Sequence, residues 1–261
     1  MAMVTASGVQ RATMTAVAVR DQTRIGVSLA VAIGAGWVAL HLFAMFAFRF
    51  THITWPFALP VAMLQCWLSV GMFIVAHDAM HGSLAPGRAR LNERVGAGVL
   101  MLYAGFGWRK LRAAHFEHHR APGSAADPDF DAAHPSQFWR WYATFLLRYF
   151  GWRSALFINS VVAIYALIGV PLANIVLLYG VPAIVSSLQL FYFGTYRPHR
   201  HDGEAFADRH NARTETFGTL ASLASCFHFG YHHEHHLSPN IPWWGLPARR
   251  RARMSGGRVK S

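Results

Sequence analysis

The sequence predicts an all-α integral membrane protein with four transmembrane helices, further helices that lie in or re-enter the membrane surface, and a cytoplasmic cap that carries the histidine motifs. Hydrophobic residues make up 53% of the 261 residues and charged residues only 14%, whereas soluble domains have about 25% charged residues. Long uncharged apolar runs recur along the chain. Histidine-rich motifs follow these runs instead of interrupting them.

The chain divides into a flexible N-terminal tail over residues 1–24, a single membrane domain over residues 25–245, and a basic C-terminal tail over residues 246–261. We expect the second tail to be disordered or to rest on anionic lipid. Residues 25–48 and 57–76 carry no charge. Each is long enough to cross a hydrocarbon core, which requires about 20 residues.

Residues 154–196 form a third uncharged run. As one helix it would be about 65 Å long, twice the thickness of a bilayer. The run therefore predicts two spans, 154–172 and 174–196, joined by a turn near residues 171–174. Residues 180–182, which contain Gly and Pro, are a second candidate for the break.

Other apolar segments are too short or too basic to cross. Residues 95–108 suit a re-entrant or interfacial segment, and residues 137–153 mix tryptophan and arginine as in a helix that lies in the interface plane. With four spans, all 24 Lys and Arg residues except Arg49 fall on one side. The positive-inside rule makes that side cytoplasmic. We expect a bacterial inner-membrane protein with both termini and all histidine motifs in the cytoplasm.

Charge and cysteine content exclude some classes of protein. The net charge of +12 would suit a nucleic-acid binder, but long uncharged runs would not, so no nucleic-acid partner is expected. Cys66 and Cys226 cannot form a disulfide framework and are predicted to be reduced, small buried residues. His41 stands alone in the first span and is predicted to be a hydrogen-bonded core residue.

Three histidine motifs predict a metal centre. Spacings of three and four residues place such side chains on one face of a helix, and neutral imidazole is a common metal ligand. Eight histidines are too many for one ion, so two metal ions that share a site are predicted. Because no cysteine accompanies them, redox-active iron that activates O₂ is favoured over a thiolate zinc or copper site. The eight are His77, His81, His115, His118, His119, His232, His235 and His236.

Other polar residues are candidates for supporting roles. His228 would lie one helical turn before His232, as an additional ligand or a neighbour of the ligands. Four carboxylates are candidates to orient ligand imidazoles by accepting their second N–H. They are Asp78, Glu117, Asp129 and Glu234. No catalytic residue beyond the metal ligands is assigned.

The order H-x₃-H, H-x₂-H-H, H-x₂-H-H beside paired spans resembles the membrane fatty-acid desaturase and hydroxylase superfamily. Four strings that flank the motifs are similar to bacterial β-carotene ketolases. They are FIVAHDAMHGSLAPGR (73–88), APGSAADPDF (121–130), FGTYRPHRH (193–201) and CFHFGYHHEHHLSP (226–239).

The resemblance implies a di-iron centre held by the eight histidines, with a ninth ligand from just beyond the fourth span, His199 first and His201 second. It implies O₂-dependent oxidation of C4 and C4′ of β-ionone rings to ketones, through two hydroxylations and loss of water. β-Carotene would pass through echinenone to canthaxanthin, and zeaxanthin would proceed towards astaxanthin. The carotenoid would come from the bilayer among membrane lipids, and electrons from a separate ferredoxin-type protein.

Three alternatives stay open at this point. A carotenoid C3 hydroxylase and an acyl desaturase belong to the same superfamily. A divalent-metal transporter belongs to a different class and predicts acidic or histidine residues along a path inside the spans. The predicted spans hold only His41 as such a candidate.

Overall fold

Residues 6–257 are described in this computed structural model, and helices are their only regular secondary structure. The predicted all-α class is confirmed. The helices in chain order are α1 (Ala6–Leu42), α2 (Trp55–His81), α3 (Ala89–Ala104), α4 (Trp108–Arg120), α5 (Phe138–Tyr149), α6 (Trp152–Leu167), α7 (Leu172–His199), α8 (Thr219–Cys226), α9 (His232–Leu237) and α10 (Leu246–Gly257).

Three segments are long and apolar enough to cross a membrane, namely Ala18–Ala47, Trp55–His81 and Leu172–His199. A fourth span results if α5 and α6, which meet at an angle of 86°, are taken together as one broken span. The chain is therefore an integral membrane protein, as expected. The third span was predicted over residues 154–172. There, α6 extends only from Trp152 to Leu167, which is shorter than the roughly 20 residues that a helix needs to cross the membrane alone.

The turn between the last two spans lies at residues 168–171, a few residues before the predicted position near residues 171–174, because the helix already begins at Leu172. Gly169 takes a left-handed φ of 82°, a conformation that costs glycine little. Pro171 directly precedes α7, where its missing N–H is not needed for a helical hydrogen bond. The alternative break at residues 180–182 is not used, and α7 instead passes through a π-helical segment, Ile175–Gly180.

A helical hairpin brings the middle of the chain back to the end of α2. Gly82, with φ 72°, ends α2 and reverses the chain, and α3 then packs along α2. A Cβ atom on Gly96 would lie 2.0 Å from the ring of Trp108, so glycine permits the close approach of α4 to α3. The chain reverses at residues 105–107, between α3 and α4, and α4 then returns towards His81.

Both predicted tails differ from the structure. The tail predicted over residues 1–24 is helical from Ala6, and residues 1–5 lie outside the described part. The tail predicted over residues 246–261 is helical as far as Gly257, and residues 258–261 lie outside. Arg250 donates to the Phe217 carbonyl at 2.8 Å. A run of basic residues suggests an exposed segment when only the sequence is known. In the structure, contacts such as that of Arg250 with the Phe217 carbonyl attach this helix to the rest of the chain.

The isolated polar residues of the spans behave as predicted. His41 is buried, stacks on Trp37 and hydrogen-bonds the Tyr165 hydroxyl at 2.6 Å. Cys66 and Cys226 are free and buried. These residues are packing elements of the helical core.

A buried amide ties the first span to the last. Asn174 donates from Nδ2 to the carbonyls of Ala44 and Phe48, at 2.7 and 2.8 Å. These carbonyls lie in and directly after the π-helical segment Phe43–Ala47 that extends α1, where a helix end leaves carbonyls without partners of its own. We expect Asn174→Ala to destabilise the protein by about 1–3 kcal/mol, which corresponds to roughly 2–4 °C per kcal/mol in the unfolding temperature of a domain of this size.

Thermal unfolding of the detergent-solubilised protein measures this effect. Asn159→Ala is the matched control, because the Asn159 amide is exposed and, within residues 6–257, bonds only the Ala155 carbonyl of its own helix. Equal unfolding temperatures for the two variants would contradict the prediction.

Candidate metal centre

Nine histidines converge into two adjacent groups near the ends of α2 and α7. The five-histidine group consists of His77, His81, His115, His119 and His235, and the four-histidine group consists of His118, His199, His232 and His236. Within each group, one ring nitrogen from every member lies within 4.8 Å of those of the others. The four-histidine group is fully buried, whereas His81, His115 and His119 are partly exposed. The two groups form one continuous centre, since His119 and His236 stack with ring centroids 4.3 Å apart.

Helical geometry explains how one motif serves both groups. Successive residues are about 100° apart around an α-helix. On α4, His115 and His119 therefore face one group while His118 faces the other. The expectation that each triplet shares one narrow face is too simple, because α9 also divides its histidines between the groups.

The ring nitrogens are arranged as a metal would require. Nε2 of His81 and Nε2 of His115 are 2.6 Å apart, and those of His119 and His235 are 3.0 Å apart. Two nitrogens bound about 2.1 Å from one ion at a right angle would be separated by about 3 Å. His77 is buried with no hydrogen-bond partner at either ring nitrogen among residues 6–257, an arrangement that is costly without a ligand. Both groups fit a metal ion.

Outer hydrogen bonds fix the orientation of two members of the four-histidine group. Asp127 accepts the Nδ1–H of His118 at 2.9 Å, and the Asn211 carbonyl accepts that of His199 at 2.7 Å. In each ring the proton on Nδ1 leaves the lone pair of Nε2 for a metal. Nε2 of His199 is buried and unpaired within the described residues, as a ligand nitrogen would be before an ion binds.

Burial keeps the inner imidazoles neutral. Loss of solvent, followed by the neighbouring imidazoles, holds the pKa of His232, His235 and His236 well below 6.5. Burial also lowers the pKa of His118, but the hydrogen bond and negative charge of Asp127 outweigh it and raise that pKa. Burial alone would raise the pKa of Asp127, yet His118 and two backbone N–H groups lower it. Neutral imidazole is the form that binds metals.

The carboxylates expected to orient ligands are mostly placed elsewhere. Asp78 lies 3.7 Å from Nδ1 of His77, too far for a hydrogen bond, and instead accepts the Trp243 N–H. Glu117 is exposed. Glu234 is buried, but it accepts from the Thr214 hydroxyl at 2.5 Å.

Asp129 is 3.9 Å from His118, whereas Asp127 makes the direct bond. Asp129 was the residue expected from the sequence to orient a ligand, and its neighbour Asp127, two residues earlier in the same loop, was not predicted.

The remaining histidines lie outside both groups. His201 is exposed and packs on Phe130, with ring centroids 4.9 Å apart. His228 stacks on Tyr231, since a left-handed backbone at residues 227 and 228 prevents the helical turn that was expected to align it with His232. His233 bonds Asp208 and Arg253, at 2.8 and 2.5 Å. Of the two candidates for a ninth ligand, the structure brings only His199 into a group.

An apolar cavity of about 900 Å³, with its open mouth included, ends at the histidines. His77 and His115 of the five-histidine group and His118 and His232 of the four-histidine group all line it. Its walls are largely aromatic and aliphatic, as in most sites for small molecules. They include Phe73, Tyr103, Phe106, Phe145, Leu190 and Phe229. An apolar molecule in this cavity would contact both histidine groups at once.

Comparison with known proteins places this arrangement in a family. A family model described as fatty acid desaturase matches residues 53–161 and 151–256. A β-carotene ketolase from Paracoccus sp. (strain N81106 / MBIC 01143) is 48% identical over 88% of this chain and 94% of its own length. A second, from Paracoccus sp. (strain PC1), is 47% identical over 91% of this chain and 96% of its own. A zeaxanthin 4-ketolase from Chlamydomonas reinhardtii is 35% identical over 85% of this chain and 52% of its own.

These matches cover the site as well as the spans. All nine clustered histidines fall within the residues that the family model matches. The two Paracoccus proteins match nearly end to end, so the likeness is not confined to the histidine motifs. The chain belongs to the fatty acid desaturase family, within which it is a homologue of the β-carotene ketolases.

Proposed function

We propose that the protein is an O₂-dependent carotenoid ketolase that oxidises C4 and C4′ of β-ionone rings to ketones. The observation that carries the proposal is the apolar cavity whose end is formed by imidazoles of both groups. A hydrocarbon ring can be held there by burial alone, with one of its carbons against the metal centre. The relatives named β-carotene ketolase and zeaxanthin 4-ketolase support this class of substrate.

Each histidine group would hold one iron ion. Donor sets made only of imidazole, with no thiolate, suit iron in a redox role. When bound, the iron pair supplies the reductive activation of O₂. Burial keeps inner rings such as that of His232 neutral, and Asp127 and the Asn211 carbonyl orient the rings of His118 and His199. The aromatic walls exclude water from the reacting carbon.

The reaction consumes reducing equivalents that the chain must receive from outside. Each hydroxylation takes one O₂, two electrons and two protons, inserts one oxygen atom into a C–H bond, and releases one water. A second hydroxylation at the same carbon gives a gem-diol, which loses water to form the ketone. We infer that a separate ferredoxin-type protein delivers the electrons at the partly exposed five-histidine group.

The substrate would reach the cavity from the bilayer. The walls of the cavity come largely from α2, α3, α4, α5 and α7, of which α2 and α7 are candidate spans. A carotenoid is about as long as the hydrocarbon core is thick, ~30 Å, so one ring at the metals leaves the polyene among the helices. We place the histidine centre and both termini on the cytoplasmic side of a bacterial inner membrane, because all Lys and Arg residues except Arg49 lie on the side of the centre in the four-span arrangement.

Expression in bacteria that produce β-carotene tests the proposal directly. Pigment chromatography should detect echinenone and canthaxanthin, and the purified protein should contain about two irons per chain. A vector-only strain is the control for background oxidation. A C3 alcohol as the only product would support a ring hydroxylase instead, and a new acyl double bond would support a desaturase. Exchangeable zinc without O₂ chemistry would support a metal transporter.

A further inference from the structure

One carboxyl group and its tyrosine partner lie in the largely apolar wall of the cavity, beside the metal centre. Asp129 and Tyr149 both line it, and the Tyr149 hydroxyl donates a hydrogen bond to Oδ1 of Asp129. Two hydrogen bonds hold the backbone of Asp129. The Trp141 indole N–H donates to its carbonyl at 2.7 Å, and its own N–H donates to Oδ1 of Asp127 at 2.8 Å. A carboxyl group on an apolar wall is costly unless a partner compensates for its burial. Tyr149 compensates for one oxygen of this carboxyl group, and the second oxygen is left for a partner within the cavity.

The second oxygen of this carboxyl group is the one that remains available. Oδ2 of Asp129 lies 3.9 Å from Nδ1 of His118, but that N–H is donated to Asp127 at 2.9 Å. Among residues 6–257, no other side chain donates to this oxygen within hydrogen-bond distance. Asp129 thus offers one hydrogen-bond acceptor to a molecule in the cavity, next to a histidine of the four-histidine group.

The chemistry of ketone formation calls for an acceptor at this position. The first hydroxylation leaves a hydroxyl group on the side of C4 that faces the metals. The second can proceed only after this hydroxyl group turns aside and the remaining C4–H takes its place. An acceptor for the displaced hydroxyl group must lie within about 4 Å of C4, one hydrogen bond of ~2.7 Å plus one C–O bond. Such a distance requires a residue adjacent to the metal ligands.

We propose that Asp129, held by Tyr149, binds the C4 hydroxyl group of the alcohol intermediate and so positions the remaining C4–H for the second oxidation. This inference rests on the proposed ketolase function and adds the residues that direct the reaction to the ketone. The intermediate donates its O–H to Oδ2 of Asp129, and no covalent bond changes in this step. The first oxidation does not need the contact, since β-carotene carries no hydroxyl group.

The ratio of alcohol to ketone at C4 tests the proposal. In cells that produce β-carotene, Asp129→Asn should raise the ratio of 4-hydroxy to 4-keto rings about tenfold. An amide whose oxygen keeps the Tyr149 hydrogen bond presents its nitrogen, which donates and does not accept, at the position of Oδ2. Tyr149→Phe should raise the ratio about threefold, because the carboxyl group loses its fixed orientation. When 4-hydroxylated carotenoid is supplied directly, the apparent KM for its oxidation should rise in the same order.

Tyr142→Phe is the matched control, because it removes a hydroxyl group from the same helix that is bonded to Ser187 at 3.1 Å. It should keep the wild-type ratio. A purely structural role for Asp129 would lower both products together at constant ratio, and that result would overturn the proposal. A change seen only with 3-hydroxylated rings would overturn it as well. Wild-type protein that forms no 4-oxygenated ring would instead refute the proposed function itself.

Discussion

Replacement of His236 by alanine is expected to abolish ketone formation and to lower the iron content from about two to about one ion per chain. The residue is buried in the four-histidine group, with Nε2 at 3.2 Å from that of His118 and 3.0 Å from that of His232. Loss of an outer partner of a ligand already costs about 10–100-fold, so loss of the ligand itself should cost at least a hundredfold. Pigment chromatography and metal analysis of the purified protein measure the two effects.

His233 supplies a control from within the same motif. It is buried like its neighbours but bonds Asp208 and Arg253 outside both groups. His233→Ala should therefore retain iron and form ketones, with an effect on stability alone. Both variants should reach the membrane in similar amounts. Loss of iron from His233→Ala, or full activity in His236→Ala, would show that the division into ligands and non-ligands is wrong.

Asp127→Asn is expected to reduce ketolase activity and iron retention about 10–100-fold. The carboxylate of Asp127 accepts three N–H groups: Oδ2 accepts those of His118 and Gly123, and Oδ1 accepts that of Asp129. Asparagine has one acceptor oxygen, so its amide nitrogen would face at least one of these donors. The His118 ring would then lose its fixed orientation. Activity in membranes titrated with a chelator measures how weakly the metal is held.

Asp131→Asn controls for loss of a carboxylate from the same loop. Asp131 likewise accepts backbone N–H groups, from Ala133 and His134 at 3.1 Å each, but it bonds none of the clustered histidines. Its substitution should affect stability without altering the response to chelator. Equal sensitivity of the two variants would indicate that Asp127 supports the loop and not the metal centre.

Hydropathy and residue spacing predicted much of this architecture because both act over short distances along the chain. The uncharged runs predicted the first, second and last spans, and the turn before the last span was expected near residues 171–174, a few residues after its observed position. The predicted tails differ from the structure. The basic C-terminal tail was expected to be disordered or to rest on lipid, whereas Arg250 and Arg253 of α10 have partners that come from distant parts of the sequence.

The histidine motifs likewise predicted which residues belong to the metal centre, but not how those residues divide between its two groups. Their spacing predicted a two-metal centre and the resemblance added His199, but neither indicated which imidazoles share a group. That division depends on how α4 and α9 are rotated against α2 and α7. His228 shows the limit of helical spacing, because the backbone around it is not helical.

The sequence by itself determined that the chain is helical, enters the membrane and carries imidazoles at one end of its spans, since these properties follow from local polarity and periodicity. Only the tertiary structure decided how the nine histidines divide into a group of five and a group of four, that Asp127 is the partner of His118, and that an apolar cavity ends between the groups. The physical reason is that hydrogen bonds and ring-to-ring distances depend on the packing of helices far apart in the chain.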